Sequence, residues 1–330
     1  MDMEERKGHR CRICGNVSGN RPFVGREMMF GLRETFEYFE CGACGCLQIA
    51  KIPADLGKYY PENYYSFQSP SPLKVRIKGP WLCDPFSGRQ AVQRALNFLP
   101  GVRFMPEWMK RCSLDRHASV LEVGSGDGSR LMAMWQAGFR DLTGVDPFIR
   151  ENVRYANGIE IFRKDIREVS RVYDFVMLHH AFEHMPDPLQ TLKDLRRILK
   201  ADGTILIRIP VASSYAWKTY GTDWLGLDPP RHLYLHTPKS LQVVVEQAGL
   251  RIVDSFCDGD ISQFIGSEQY RRDIPWRDPR SYNENKRGSI FTRAQLRAFR
   301  SLTHRLNREK QGDAAAFFLR NMSDAVPSGS

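Results

Sequence analysis

The 330-residue sequence predicts an α/β protein, a doubly wound seven-stranded sheet preceded by a small metal-stapled module. Three observations carry this expectation. From Ala118 onward, short apolar runs alternate with amphipathic segments, the pattern of a parallel sheet flanked by helices. One of those runs leads straight into Gly124-Ser125-Gly126-Asp127-Gly128. Five of the eight cysteines fall within residues 9–50, a stretch with little apolar periodicity.

Each element has its own signal. Residues 119–123 read as an apolar strand, and 129–137 as the helix that follows the glycines. A second strand, 142–145, closes at Asp146-Pro147. Residues 159–162 make a weaker third strand and 175–178 a strong fourth. Asp187 caps the next helix, Pro188 takes its first position, and Leu189, Leu192, Leu195, Ile198 and Leu199 form its apolar face. Asp202-Gly203 ends that helix before a fifth strand at 204–209. Thr237-Pro238 opens another helix, which stops at Gly249. Strands at 251–257 and 314–319 complete the sheet, the last one antiparallel, with an arginine-rich helix near 293–307 between them.

The chain therefore divides into a metal module (1–57), a tyrosine-rich linker and helical cap (58–115), a nucleotide-binding core (116–257), a basic helical insertion (258–311) and a final strand with its tail (312–330). The charged start, Met1 to Lys7, does not read as a signal peptide, and no apolar run reaches the length of a membrane span. The expectation is a cytoplasmic protein in a reducing compartment, where cysteines bind metal or stay free. The net charge of +10 is concentrated in 74–116 and 271–310. It fits either a surface for phosphate-bearing partners or an ordinary solvated face.

Cys11-Arg12-Ile13-Cys14-Gly15 and Cys41-Gly42-Ala43-Cys44-Gly45 are two C-x-x-C-G knuckles, twenty-six residues apart. Four thiolates in that spacing suit a closed, structural zinc site, a zinc ribbon with Cys11, Cys14, Cys41 and Cys44 as ligands. A redox C-x-x-C needs only one pair in a thioredoxin-like setting. Cys46, Cys83, Cys112 and Cys257 read as spare thiols.

The glycine loop is the most informative segment. A dinucleotide fingerprint requires glycines at its first, third and sixth positions; here they stand first, third and fifth, and Ser129 is sixth. Glu122 and Asp127 would repel a pyrophosphate, yet they suit a ligand with an ammonium group and a sulfonium. Asp146 lies twenty-two residues beyond Gly124, where a carboxylate can accept from both ribose hydroxyls. Asp165, past the third strand, could accept from an adenine amino group. This weighs against a nicotinamide-dependent oxidoreductase.

The run Glu122 to Gly128, together with Asp146, Asp165, Tyr173-Asp174-Phe175-Val176-Met177-Leu178 and Glu183-His184-Met185-Pro186-Asp187-Pro188, resembles the successive motifs of class I S-adenosylmethionine (SAM)-dependent methyltransferases. The resemblance spans about residues 118–255. It implies a Rossmann-like core with SAM as cofactor. Glu122, Gly124, Ser125 and Gly126 would hold its methionyl part, Asp146 the ribose, and Asp165 the adenine, with Ile166 and Leu178 completing the contacts. The ribbon, followed by Tyr59-Tyr60-Pro61-Glu62-Asn63-Tyr64-Tyr65, is similar to bacterial methyltransferases of sugar and glycan biosynthesis. There Tyr64 and Tyr65 would help cover the substrate; equally, they could pack the linker onto the core.

SAM brings an activated methyl group, so the enzyme must align the acceptor and take its proton. His184, supported by Glu183, is the base that the resemblance implies, unless the pair shapes the donor pocket instead. His180, Glu183 and His184 also form an H-x-x-E-H cluster that could hold a divalent metal. It resembles the Glu-x-x-Glu-His segment of quinone-type O-methyltransferases, with His180 in place of the first glutamate. His180 is a further candidate for acceptor contact. Trp224 to Tyr234 supplies Arg231, a partner for a phosphate or carboxylate, and His232, an alternative base.

The expected acceptor is a small molecule or glycan precursor, a nucleotide-linked sugar among them, methylated on oxygen. C-methylation of a nucleotide-linked keto-sugar is the alternative. A nucleic-acid methyltransferase using ribbon and basic tail is the rival of another class, although no base-methylation motif or RNA-binding module is present. Peripheral membrane contact and a non-catalytic binding role stay open.

Overall fold

The computed structural model describes residues 9–61, 81–82, 103–104, 106–112 and 114–322. In chain order the first strands are β1 (Arg21–Arg26), β2 (Thr35–Glu40), β3 (Leu47–Ile49), β4 (Trp81–Leu82) and β5 (Arg103–Phe104). Helix α1 (Glu107–Cys112) precedes β6 (Val120–Val123), α2 (Ser129–Gln136), β7 (Leu142–Val145), β8 (Val153–Arg154), β9 (Glu160–Phe162) and β10 (Tyr173–His179). Next come α3 (Pro188–Arg197), β11 (Leu199–Pro210), α4 (Tyr215–Tyr220), β12 (Tyr234–Leu235), α5 (Pro238–Gln247) and β13 (Leu250–Cys257). The chain finishes with α6 (Ser262–Tyr270), α7 (Arg293–Arg308) and β14 (Ala314–Asn321).

Two compact units share these elements. Unit one comprises 1–59, 180–193 and 207–330; unit two comprises 60–179 and 194–206. This grouping differs from the linear partition expected of the sequence, because the ribbon falls in one unit with the C-terminal third.

Unit two holds the mostly parallel sheet, in the order β11-β10-β6-β7-β9-β8. β6 pairs in parallel with both β10 and β7, and β7 with β9. Their residues are apolar on both faces, as a covered parallel sheet requires: Val120, Leu121, Phe175, Val176, Met177 and Leu178 are completely buried. Leu131 and Met134 turn the apolar stripe of α2 inward. Strand β8, antiparallel to β9, was not expected, since two residues are too short to show a period. β4 and β5 pair in parallel.

Unit one contains a second sheet, β1-β2-β3-β12. The ribbon hairpins pair antiparallel, and β12 closes the sheet with Tyr234 opposite Gln48 and Leu235 opposite Leu47. The C-terminal part of β11 lies in unit one, in the order β13-β14-β11. β13 and β14 run antiparallel as expected, with an irregularity at Ile252/Asp254.

The cap signals behave as chemistry dictates. Asp187 Oδ1 accepts from Gln190 N at 2.9 Å at the start of α3. Thr237 and Ser240 form a reciprocal capping box on α5, which ends before Gly249 in the left-handed region. α3 stops at Arg197, and β11 begins five residues earlier than expected; Lys200 pairs there with Asp174 at 2.8 Å. The arginine-rich α7 buries Thr303 and Leu306, and Phe299 stacks on Phe264. Among the described residues, no helix is long and apolar enough to cross a membrane.

Candidate functional site

The glycine loop of unit two joins β6 to α2. Gly124, Gly126 and Gly128 all take left-handed backbone, with φ of 71°, 50° and 69°. A side chain at Gly128 would also strike Ile161 Cδ1. Asp146, at the end of β7, fixes the loop from below. One carboxylate oxygen accepts from Gly126 N and the other from Phe148 N, both at 2.9 Å. Burial raises the pKa of Asp146, and the two amides pull it back down. Tyr155 secures the far side by donating to Asp127 O at 2.7 Å.

Glu122 is completely buried, and its Oε1 pairs with Arg130, a partner in the first turn of α2 that the sequence reading missed. Burial raises the pKa of Glu122 against the pull of that guanidinium. Its Oε2 and the hydroxyl of Ser125 are buried and have no hydrogen-bond partner. Two orphaned polar atoms beside a bare glycine backbone fit a ligand that donates hydrogen bonds there. Asp165, just past β9, caps the turn Ile166–Glu168 and pairs with Arg167, whose side chain lowers its pKa. Ile166 and Leu178 are both buried.

The histidine cluster belongs to unit one. His180 directly follows β10 and carries φ = 53°, a strained value for a residue other than glycine. Its Nδ1 lies 3.3 Å from Glu183 Oε1, and Arg208 donates to its Nε2. Arg208 in turn binds Asp258 Oδ2 at 2.5 Å. Both ring nitrogens of His180 are thus engaged within the protein. Arg208 was overlooked, although an arginine inside the run Ile205-Leu206-Ile207-Arg208-Ile209 was a visible signal.

His184 and His232 approach each other, with ring centroids 4.8 Å apart. Nδ1 of His184 meets Arg231 O at 2.9 Å, and Nδ1 of His232 meets Gly226 O at 2.7 Å. A carbonyl only accepts, so each Nδ1 carries the proton and Nε2 is the basic nitrogen. Glu183 is completely buried, with Oε2 unpartnered. One ligand atom from each of Glu183, His184 and His232 falls within 4.8 Å of the others. The adjacent carboxylate does not make His184 strongly basic. Burial, reinforced by His232, lowers its pKa to about 4 despite the pull of Glu183. The pKa of Glu183 is held near 2, because His180 and the neighbouring rings outweigh the burial that would raise it.

Arg231 requires a correction. Expected to meet an acceptor's phosphate or carboxylate, it is completely buried. It forms a forked pair with Asp228 (2.9 and 2.5 Å), reaches Glu27 Oε1 at 2.8 Å and donates to Tyr59 O at 3.2 Å. These partners consume the guanidinium, which therefore acts as a structural tie. Tyr64 and Tyr65 lie outside the described residues.

The four knuckle cysteines converge in unit one, all Sγ atoms lying within 4.8 Å of one another. Cys11 and Cys44 are 3.7 Å apart and Cys14 and Cys41 3.6 Å. Tetrahedral zinc–thiolate geometry sets that edge at about 3.8 Å. Gly15 and Gly45 are left-handed, as the knuckle turns demand, and Gln48 donates to Cys11 Sγ at 2.8 Å. The contact with Cys44 lowers the pKa of Cys11 and raises that of Cys44. Such a cluster can bind zinc.

Residues 94–255 match a family model described as a methyltransferase domain. No curated protein sequence matches the chain. Among solved structures, the chain resembles a mitomycin 7-O-methyltransferase at 15% identity and a TM-score of 0.39, over 62% of this chain and 49% of that one. It thus spans about half of that protein's length. A SAM-dependent methyltransferase from Archaeoglobus fulgidus matches at 18% identity and a TM-score of 0.40, covering 71% of this chain and 95% of that one. For coclaurine N-methyltransferase the values are 11% and 0.44, covering 82% and 84%. None of these likenesses says what this chain methylates.

Proposed function

We propose that this chain, whose residues 94–255 match a methyltransferase-domain model, is a class I SAM-dependent methyltransferase that transfers the methyl group to a hydroxyl of a sugar or glycan precursor. The observation that carries the donor half of this reading is the divided Glu122 carboxylate. Oε1 serves Arg130, whereas buried Oε2 has no partner. An ammonium group donating to Oε2 would relieve that burial cost, which runs to about 1–3 kcal/mol for an unsatisfied polar atom. Ser125 Oγ and the amides of the loop would hold the rest of the methionyl part. Asp146 keeps lone pairs beyond its two amide bonds and would accept from the ribose hydroxyls. Asp165, Ile166 and Leu178 would meet the adenine. When bound, SAM supplies a methyl group on a sulfonium, ready for displacement.

The acceptor half rests on unit one alone. A hydroxyl must lose its proton as it attacks, and Glu183, His184 and His232 gather one carboxylate and two basic imidazole nitrogens. We assign activation of the acceptor hydroxyl to this trio. His184, with Glu183 in support, is the base in this assignment and His232 the alternative, while the engaged His180 positions Glu183. A sugar or nucleotide-linked sugar as acceptor is supported by the sequence resemblance of the ribbon and tyrosine step. Cys11, Cys14, Cys41 and Cys44 would hold a structural zinc ion.

Two measurements test this. Calorimetric titration with S-adenosylhomocysteine should show binding that Asp146→Ala abolishes, with no binding of NADH; tight NADH binding would reverse the donor reading. Labelled methyl from SAM, offered to nucleotide-linked sugars, free sugars and oligonucleotides, should enter the sugars. Label in oligonucleotides alone would overturn the acceptor class.

A further inference from the structure

We infer that the outer face of α7, in unit one, is a docking surface for an anionic phospholipid bilayer. The helix holds five arginines and His304 among its sixteen residues, with no lysine and no acid. Arg293, Arg297, Arg300, His304 and Arg308 recur at i, i+4, i+7, i+11 and i+15, so they share one stripe about 22 Å long. All five are exposed. Leu296, Phe299, Leu302, Thr303 and Leu306 fall on the other side and are partly or fully buried.

The charge on this stripe has no counterpart in the protein. Other arginines of the same insertion do have acids: Arg272 pairs with Glu268 at 2.5 Å, Arg277 with Glu284 at 2.9 Å and Arg280 with Asp278 at 2.7 Å. Among the described residues, no carboxylate lies within ion-pair distance of Arg293, Arg297, Arg300, Arg305 or Arg308. Like charges three and four residues apart repel, and Arg293 stands at the positive end of the helix dipole with no acid in the first turn. The stripe therefore weakens the helix that carries it. A surface of opposite charge removes both penalties.

The chemistry of the face selects the partner. Guanidinium forks match the oxygens of a phosphate, which favours phosphate over carboxylate-free polar surfaces. Phe291 and Phe299 are turned onto Tyr282, Phe264 and each other, so they offer no platform for stacking unpaired bases. Ile290, two residues before the Thr292 cap, is 41% exposed. An apolar side chain beside a cationic stripe suits the boundary between headgroups and acyl chains, and a nucleic-acid backbone has no use for it.

The contact is peripheral. Leu306 and Thr303 are buried in the protein and Phe299 stacks on Phe264, so α7 keeps its apolar side and lies on the headgroups by charge. Nothing in this inference rests on methyl transfer, and it holds or falls by itself.

Cosedimentation of the full chain with lipid vesicles tests it. Vesicles of phosphatidylcholine and phosphatidylglycerol in a three-to-one ratio should capture the protein at about 0.1 M salt, where fields reach roughly 10 Å, and release it near 1 M, where they reach about 3 Å. Vesicles of phosphatidylcholine alone should capture little. Each cation at the surface strengthens binding about fivefold, so the triple variant Arg297→Gln, Arg300→Gln, Arg308→Gln should bind about 100-fold more weakly. Glutamine keeps the helix propensity of arginine, and urea unfolding of this variant should come no earlier than in the wild type. Lys51, Lys193 and Lys218 are exposed positions off the stripe. The variant Lys51→Gln, Lys193→Gln, Lys218→Gln removes the same charge and should stay within about threefold of the wild type. Equal losses in the two triple variants overturn the docking face, as does capture without preference for the anionic vesicles. Tighter binding of an oligonucleotide duplex than of vesicles, lost in the α7 variant, overturns the bilayer in favour of nucleic acid.

Discussion

Arg231 shows how a residue's chemistry is decided by its neighbours. Its guanidinium joins Asp228, three residues earlier, to Glu27, which lies 204 residues away in sequence. Replacing it with methionine strands two buried carboxylates, so Arg231→Met should lose about 3–5 kcal/mol in urea unfolding. A residue that merely met the acceptor would instead raise KM and leave stability untouched. Asp313 makes a second prediction at this scale. Desolvation pushes its pKa up to about 7, although Trp224 Nε1 donates to it at 3.3 Å. An acid with a raised folded pKa stabilises fully below its unfolded value and loses that contribution as pH rises through the folded one. Relative to Asp313→Asn, wild-type stability should therefore decline between pH 4 and pH 7 and level off above. A difference between the two proteins that is flat across this range would contradict the raised pKa. Glu122 belongs here too. Its carboxylate was legible as a ligand group, yet Arg130, eight residues on, was invisible as its partner because no spacing rule links a strand residue to a helix still to come.

Elements were read best where local chemistry sets them. Thr237 caps α5, and the same hydroxyl donates to Cys44 O at 2.7 Å. Thr237→Ala should cost about 1–2 kcal/mol, more than an isolated peptide cap, because the link to the knuckle is lost with it. A cost of only a few tenths in thermal unfolding would show that the bond to Cys44 contributes nothing. The left-handed glycines of the loop between β6 and α2 and of both knuckles were likewise written in the sequence, since L side chains avoid those angles. Two-residue strands such as β8 and β12 were not, because their existence depends on the strand beside them. β12 pairs with β3, Leu235 standing opposite Leu47, 188 residues earlier, and nothing in Tyr234-Leu235 itself marks it as the edge of the ribbon sheet.

For unit one as a whole, the ribbon is part of the fold rather than an appendage. β12 completes its sheet, and Thr237 and Lys239 of the α5 terminus hold the carbonyls of Cys44 and Ala43. With zinc held by the four cysteines as proposed, a chelator should therefore remove hydrogen-exchange protection from β1 to β3 and from β12 together. Protection that survives chelation would mean that the cysteines do not staple the sheet. The sequence by itself determined the parallel sheet, the glycine loop with its acids and the four-cysteine cluster, because these follow from periodicity, backbone angles and short spacings along one stretch of chain. Only the tertiary structure decided that Arg231 is internal, that His232 rather than His180 joins Glu183 and His184, and that ribbon and C-terminal third form one unit. Each of those outcomes depends on which distant groups share a buried volume, where charges must find partners and carbonyls fix imidazole tautomers.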